Sequence, residues 1–454
     1  MFGKLMGSRR FAPLFWCQFC SALNDNFLKN ALAMLILFGL GSAGGVSGGH
    51  AATLITLSGI IFIAPFFILS GLGGELADRF DKARVAQRVK LAEIPIAALA
   101  AAGFFLHSVP LLMLTLGLFG VMAALFGPVK YGILPEKLAT AELSAGNALV
   151  EGATFLAILM GTVAGGVAVA EAKGAGLIVA IIVTLAVASW LLARAIPVHR
   201  PAAPDLRVMR NPWTSTVRLL AELRSGDRRL WGGAHIVSWF WLVGFVALSL
   251  LPALVKHTIG GSEGVVTLCL ATFTVGIATG STLAARASHG GPNLALVPVG
   301  AVLMGIAALA IALVASTVTP GAQAIGPWSF LSSSGGAALL VALFGLAVAG
   351  GLYVVPAFAA VQAWAPVERR ARVIASVNVL NAAYMVGGGA IVAGLQAAGA
   401  GPPVLFAALG VLTPGAAVVA AKAWRGDMPS VLGRFVPRFS ASRTSARRAG
   451  RGAG

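Results

Sequence analysis

Runs of about 20 or more apolar residues recur along nearly the whole of this 454-residue chain, and nothing constrains its fold more. They fall at roughly 11–40, 51–77, 90–107, 110–134, 145–170, 174–196, 230–255, 264–285, 293–315, 338–364, 373–398 and 402–424. A bilayer core holds no water, so a spanning segment must pair its backbone groups internally, as a helix or as a strand of a closed barrel. Continuous apolarity over these lengths does not match the alternating, roughly ten-residue pattern of barrel strands. The expectation is an all-α polytopic membrane protein with 12 transmembrane helices.

Only 11% of the residues are charged, against about 25% in soluble domains. The net charge of +18 is distributed by topology. If the helices alternate in direction, nearly all lysines and arginines share one side: Lys4 to Arg10, Arg79 to Lys90, Lys130 and Lys137, Arg194 to Arg229, Arg286, Arg369 to Arg372 and the C-terminal tail. The opposite loops hold Lys173 and Lys256. Such a distribution argues against a nucleic-acid partner and places both termini in the cytoplasm. The first run exceeds a signal-peptide core and lacks a small-x-small cleavage site, so it is expected to be a retained helix. Cys17, Cys20 and Cys269 all fall within expected spans, which argues against a disulfide framework.

The longest polar interruption separates the sixth run from the seventh. The expected organisation is an N-terminal six-helix half at 1–196, a cytoplasmic loop at 197–229, a C-terminal six-helix half at 230–424 and a basic tail at 425–454 resting on anionic lipid. Within the loop, Asn211-Pro212 has the form of a helix start, and Trp213, Val217 and Leu220 recur at helical spacing, predicting a short amphipathic helix. The halves echo one another. Gly74-Glu75-Leu76-Ala77-Asp78-Arg79 and Gly280-Ser281-Thr282-Leu283-Ala284-Ala285-Arg286 follow the second and eighth runs, and Pro135 precedes Asn147 by the spacing at which Pro366 precedes Asn378. Parallel repeats of this kind place a binding site between the halves, near the midplane.

Charges inside the runs mark the candidate site, because at that depth they face protein or a water-filled path. Asp25 lies roughly 21 Å along a helix from Phe11, and Lys29 is one turn further on the same face. Their roles would be a carboxylate for an amine and an ammonium for a phosphate, with Asn24, Asn26 and Asn30 as polar neighbours. The alternative is a self-satisfied ion pair that positions the first helix. Glu93, Lys130 and Glu151 fall in the cytoplasmic third, where a charge network would close the inner side. Gln362, Asn378 and Asn381 lie at similar depth in the second half, as substrate contacts or as interhelical amide bonds. The sequence carries no signature of a catalytic residue, a metal cluster or a cofactor, so enzyme activity is not expected.

Gly74 to Arg84 resembles the loop motif of the major facilitator superfamily, with Asp81 in place of its second glycine and Lys82 and Arg84 at its basic end. The resemblance implies the superfamily fold, two six-helix halves working by alternating access. It also implies a gating role for Gly74, Asp78, Arg79, Lys82 and Arg84, with Asp78 meeting the N-terminus of the eleventh helix near Arg372 and Val373.

Ser21-Ala22-Leu23-Asn24-Asp25-Asn26, Gly127 to Pro135, Gly146 to Gly152, Gly161 to Gly166 and Tyr353-Val354-Val355-Pro356 resemble the bacterial lysophospholipid transporter family. Phe27-Leu28-Lys29-Asn30 and Ser238-Trp239-Phe240-Trp241 are similar to its branch fused to an acyltransferase and an acyl-carrier-protein synthetase. The stand-alone branch carries an arginine in the seventh helix; this chain has Val243 to Leu248 there, which makes Lys29 the substitute to hold a lipid phosphate. The resemblance implies a transporter in the inner membrane that moves lysophospholipids, such as lysophosphatidylethanolamine, to the inner leaflet for re-acylation. Its substrate contacts are expected at Asp25, Asn26, Lys29, Asn30, Asn378 and Asn381, and its implied partner is a separate acyltransferase and acyl-carrier-protein synthetase. The competing expectation is a proton-coupled exporter of drugs or small solutes, with Asp25 or Glu151 as the protonation site.

Overall fold

A computed structural model of the chain describes residues 2–36, 48–171, 175–288, 291–318 and 324–424. The end of the first apolar run, Lys173 and the basic tail lie outside the described residues. The first half comprises α1 (Ala12–Met34), α2 (Gly48–Arg79), α3 (Lys82–Phe105), α4 (Val109–Lys137), α5 (Thr140–Glu171) and α6 (Gly176–Arg194). A connecting helix, Pro212–Ser225, leads to α7 (Arg228–Ala253), α8 (Glu263–Ala287), α9 (Leu296–Thr317), α10 (Ser334–Trp364) and α11 (Arg370–Ala397). The last helix, α12, is in two pieces, Pro402–Leu412 and Gly415–Ala423, broken where Pro414 cannot continue the hydrogen-bond ladder.

Local chemistry sets the boundaries. Asn211 Oδ1 accepts from Trp213 N at 3.0 Å and Pro212 opens the connecting helix, as the dipeptide predicts. Asp227 Oδ1 accepts from Arg229 N at 2.8 Å to start α7. Asp81 Oδ1 accepts from Arg84 N at 2.7 Å, so α3 begins at Lys82, well before the apolar run expected from residue 90. That cap moves Lys82, Arg84 and Lys90 out of the anticipated loop and into a helix.

Among the described residues, ten helices are long and apolar enough to cross a membrane, which makes the chain a multi-pass membrane protein. The two long helices that fall short, α1 and α3, carry Asp25 with Lys29 and Lys90 with Glu93. Such segments need shielding by neighbours. α1 packs on α5 and α6, and α3 packs on α4 and α6.

Across the halves, α2 meets α11, α5 meets α8 and α10, and α4 meets α11. The polar contacts between halves sit at the end that carries the basic loops. Toward the opposite end, an apolar cluster around Phe27, Leu32, Phe104, Leu116 and Ile182 lies wholly within the first half. The second half of α11, from Ala383 onward, is largely exposed. The halves are therefore joined at the basic end and parted toward the other.

Candidate transport site

The site is built on α1. One face of this helix, including Cys17, Ser21, Asn24 and Leu28, is buried. Asn24 Nδ2 donates to the Ile182 carbonyl of α6 at 3.2 Å. Asn26 Nδ2 donates to the Ala22 carbonyl at 2.8 Å, and Asn30 Nδ2 to the Asn26 carbonyl at 2.9 Å and to Thr162 Oγ1 of α5 at 3.2 Å. Gly161 and Gly165 bring the α5 backbone against α1: a Cβ at Gly161 would lie 2.9 Å from both the Leu23 carbonyl and Phe27 N, and one at Gly165 2.7 Å from the Phe27 carbonyl. Asn24 and Asn30 thus tie α1 to α6 and α5, while Asn26 bonds within α1 itself. Asp25 and Lys29 remain on another face, both half-buried. Among the described residues no ion pair joins them, so the self-satisfied pair is not what the structure contains.

Around Asp25, within electrostatic range, are Glu93, Lys90, Lys130 and Lys29. Lys90 is wholly buried; its Nζ lies 2.5 Å from Glu93 Oε1 and donates to Ser21 Oγ at 2.7 Å. It also sits 4.0 Å from the Phe126 ring centroid. Tyr131 donates its hydroxyl to Glu151 Oε1 at 2.9 Å. The half-buried Lys130 lies over the Tyr131 ring at 4.6 Å, in electrostatic range of Glu151 and Asp25. The expected network of Glu93, Lys130 and Glu151 is therefore divided: Glu93 is held by Lys90, and Glu151 by Tyr131. Sequence reasoning passed over Lys90 because it stood at the edge of a presumed loop. The signal was its three-residue spacing from Glu93, which puts the two on one helical face.

At the basic end, the buried Asp78 accepts from Ala371 N at 3.0 Å, Arg372 N at 3.2 Å and Arg372 Nε at 3.1 Å. The carboxylate thus meets the positive end of α11 across the halves. Lys82 Nζ lies 2.6 Å from Glu136 Oε1 and 3.9 Å from Asp78 Oδ1. Gly74 is a close approach, since a Cβ there would lie 2.9 Å from Arg372 Cα. Arg79 lies over the neighbouring Phe80 ring, and the Arg84 side chain is exposed. Neither reaches the second half by an ion pair among the described residues.

The model of the Major Facilitator Superfamily matches residues 14–338, more than half of the chain. The chain belongs to this superfamily. Among curated relatives it is 35% identical, over 228 residues, to the lysophospholipid transporter LplT of Pectobacterium carotovorum, covering 50% of this chain and 54% of that one. It is 30% identical, over 289 residues, to LplT of Yersinia pestis, covering 62% and 66% respectively. The chain thus spans between about half and two thirds of the length of these relatives. Among solved structures, the human organic anion transporter MFSD10 superposes with a TM-score of 0.72 at 18% identity, covering 91% of this chain and 99% of that one. The superfamily transporter FucP in the outward conformation gives 0.65 at 13% identity, covering 90% and 98%. These two likenesses concern the fold.

In this facilitator, the second-half candidates serve different contacts. Asn378 lies across the seam against Gly127, where a Cβ would come 2.8 Å from its Nδ2. Asn381 turns inside its own half and accepts from Ser238 Oγ at 2.8 Å. A cross-half pair absent from the expected site is Asn147 with Gln362. Their amides exchange hydrogen bonds of 2.7 and 3.2 Å, beside the edge-on contact of Tyr131 and Phe358 at 4.5 Å. Chemically, the arrangement offers an uncommitted carboxylate and two half-buried ammoniums to a ligand, with polar contacts between halves closing the basic end.

Proposed function

We propose that this facilitator moves lysophospholipids, such as lysophosphatidylethanolamine, from the outer to the inner leaflet of a bacterial inner membrane by alternating access. The observation that carries the reading is that Asp25 and Lys29 are half-buried, one turn apart and not ion-paired to each other, midway along α1. A zwitterionic headgroup matches them: the phosphate on Lys29, with Lys130 near, and the ammonium on Asp25. The 30–35% identity to lysophospholipid transporters supports the choice of substrate. In this reading both termini are cytoplasmic, the halves are 1–196 and 230–424, and the contacts of Gly74, Asp78 and Lys82 with α11 and Glu136 form the inner gate. Delivery to the inner leaflet would supply a separate acyltransferase and acyl-carrier-protein synthetase.

The test is uptake of labelled lysophosphatidylethanolamine by spheroplasts lacking their own transporter, comparing the native protein with Asp25→Asn and Lys29→Ala at matched expression. Clear native uptake with large loss in both variants supports the reading. A folded native protein with no uptake above the empty vector ends the lipid assignment.

One observation favours the second reading, a proton-coupled exporter of small solutes. Glu151 Oε2 is buried without a hydrogen-bond partner, a position suited to carrying a proton. Solute export driven by a pH gradient and abolished by Glu151→Gln would select it.

A further inference from the structure

The connecting helix Pro212–Ser225 is locked onto α2 by the residues before it and by its first turn. Glu75 Oε2 accepts from Met209 N at 2.9 Å, and Glu75 Oε1 from Ser215 Oγ at 2.7 Å. Thr216 Oγ1 donates to the Ile68 carbonyl at 3.2 Å. Gly71 admits the Thr216 backbone, since a Cβ there would lie 3.0 Å from Thr216 Cα. These contacts fix how the helix is rotated. At about 100° per residue, the buried Ser215, Thr216, Leu219 and Leu223 share one side of it. Trp213, Val217 and Leu220 make a second side, where Trp213 is 57% and Val217 50% exposed. Thr214, Arg218, Ala221 and Ser225 make a third, all of them exposed. One side meets protein, one is apolar and one is polar.

We propose that the apolar side lies in the bilayer surface at the basic end, and that Arg210 and Arg224 gather anionic lipid headgroups around it. The place of the helix selects lipid as occupant. Ile68 lies roughly 16 Å back along α2 from Arg79, and its side chain is exposed on a spanning helix, so it faces lipid. Thr216, bonded to Ile68, adjoins the apolar side, which therefore faces the same lipid and leaves the polar side to water. Trp213 suits that boundary, having an apolar ring with an N–H at its edge. Charge selects the lipid class. Between residues 205 and 225 stand Arg207, Arg210, Arg218 and Arg224 against Asp205 and Glu222. Arg218 donates Nε to Glu222 Oε1 at 2.7 Å on the polar side. Arg210 precedes the helix and Arg224 falls in its last turn, both exposed, and Arg224 lies on the apolar side, where its long stem carries the charge out to the headgroups. Near an anionic leaflet each arginine strengthens binding about fivefold. On the protein side, Leu219 and Leu223 border a small gap with Leu230 of α7 and Val373 of α11. Lipid held on the outer edge thus steadies a helix that bridges the halves, whatever substrate they carry.

The experiment places a bimane fluorophore at Val217→Cys or Ala221→Cys, in a background without Cys17, Cys20 and Cys269, in nanodiscs of phosphatidylethanolamine and phosphatidylglycerol. The Val217 probe is expected to be quenched by brominated lipid and spared by aqueous iodide, and the Ala221 probe to show the reverse. Brominated phosphatidylglycerol should quench at a lower mole fraction than brominated phosphatidylethanolamine. Arg210→Gln with Arg224→Gln should raise the phosphatidylglycerol fraction that gives half quenching by about fivefold or more. Iodide quenching at Val217 equal to that at Ala221 overturns the membrane-facing side and gives it to a soluble partner instead. Equal quenching by the two brominated lipids, or a curve that the arginine substitutions do not move, overturns the selection of anionic lipid. Val217, Ala221, Arg210 and Arg224 are all exposed, so these changes spare the core. The protein with its cysteines intact gives a second readout. Added phosphatidylglycerol should raise its melting midpoint, and the double glutamine variant should lose that rise; equal rises in both overturn the proposal.

Discussion

Asn147 of α5 and Gln362 of α10 form a reciprocal amide pair across the two halves, each donating to the other's oxygen at 2.7 and 3.2 Å. Gln362 Nε2 also lies 3.4 Å from the Tyr131 carbonyl, 231 positions earlier. The same offset relates Asn147 to Asn378, and Asn378 lies against Gly127, one turn before Tyr131. The seam is thus built twice from related positions. Only one copy has the complementary amide.

Removing one partner of a buried pair leaves the other unsatisfied, at a cost of about 1–3 kcal/mol. Gln362→Ala should therefore loosen the basic end. A cysteine at the buried Ala359, in a background without Cys17, Cys20 and Cys269, reports this through its rate of labelling by a maleimide applied from the basic face. The expected change is a rise of fivefold or more; an unchanged rate would mean that the amide pair does not hold the seam.

Asp78 accepts two backbone N–H groups at the start of α11 and the guanidinium of Arg372. Asp78→Ala strands all three donors and should cost about 3 kcal/mol of stability; Asp78→Asn keeps an acceptor and should lose roughly half of that. Thermal unfolding in detergent measures the order. Equal midpoints for the two variants would show that the charge, not the cap, carries the contact.

Gly161 and Gly165 differ from Gly166 in what a side chain would meet. The first two face the α1 backbone within 2.9 Å and 2.7 Å, whereas a Cβ at Gly166 would meet only Met34 Cε at 3.5 Å, an ordinary contact. Gly165→Ala should cost about 1–3 kcal/mol by overpacking, and Gly166→Ala should be close to neutral. Fluorescence-detected size exclusion after heating separates the two, and similar melting of both variants would contradict the close α1–α5 packing.

The fold was legible because apolar length and the inability of a bilayer to solvate peptide groups leave few options. The helix starting at Pro212 followed from an Asn-Pro cap. The start of α3 did not, because the eye follows apolarity, whereas Asp81 begins the helix among basic residues. That difference hid Lys90. Asp25 and Lys29 stood out as charges within an apolar run, but only packing shows that Asn24 and Asn30 are engaged with neighbouring helices. Asn147 and Gln362 are ordinary amides in sequence. Their pairing depends on how the halves meet, which no local pattern encodes.

The Lys90–Glu93 pair separates a structural charge from a transport charge. Both side chains are buried, so desolvation sets a cost that is offset only while both are present and hydrogen-bonded. Lys90→Met alone leaves Glu93 as an uncompensated buried carboxylate, and Glu93→Gln alone leaves Lys90 with Ser21 and the Phe126 ring; each should cost about 3–5 kcal/mol. Replacing both, Lys90→Met with Glu93→Leu, removes the charges together and should recover much of that stability. Because Asp25 lies within electrostatic range of both groups, the neutral double variant leaves the net charge beside it unchanged. Recovered stability with recovered uptake of lysophosphatidylethanolamine assigns the pair to holding α3 against α1. Recovered stability without uptake would instead make Lys90 or Glu93 part of the headgroup site, alongside Asp25 and Lys29.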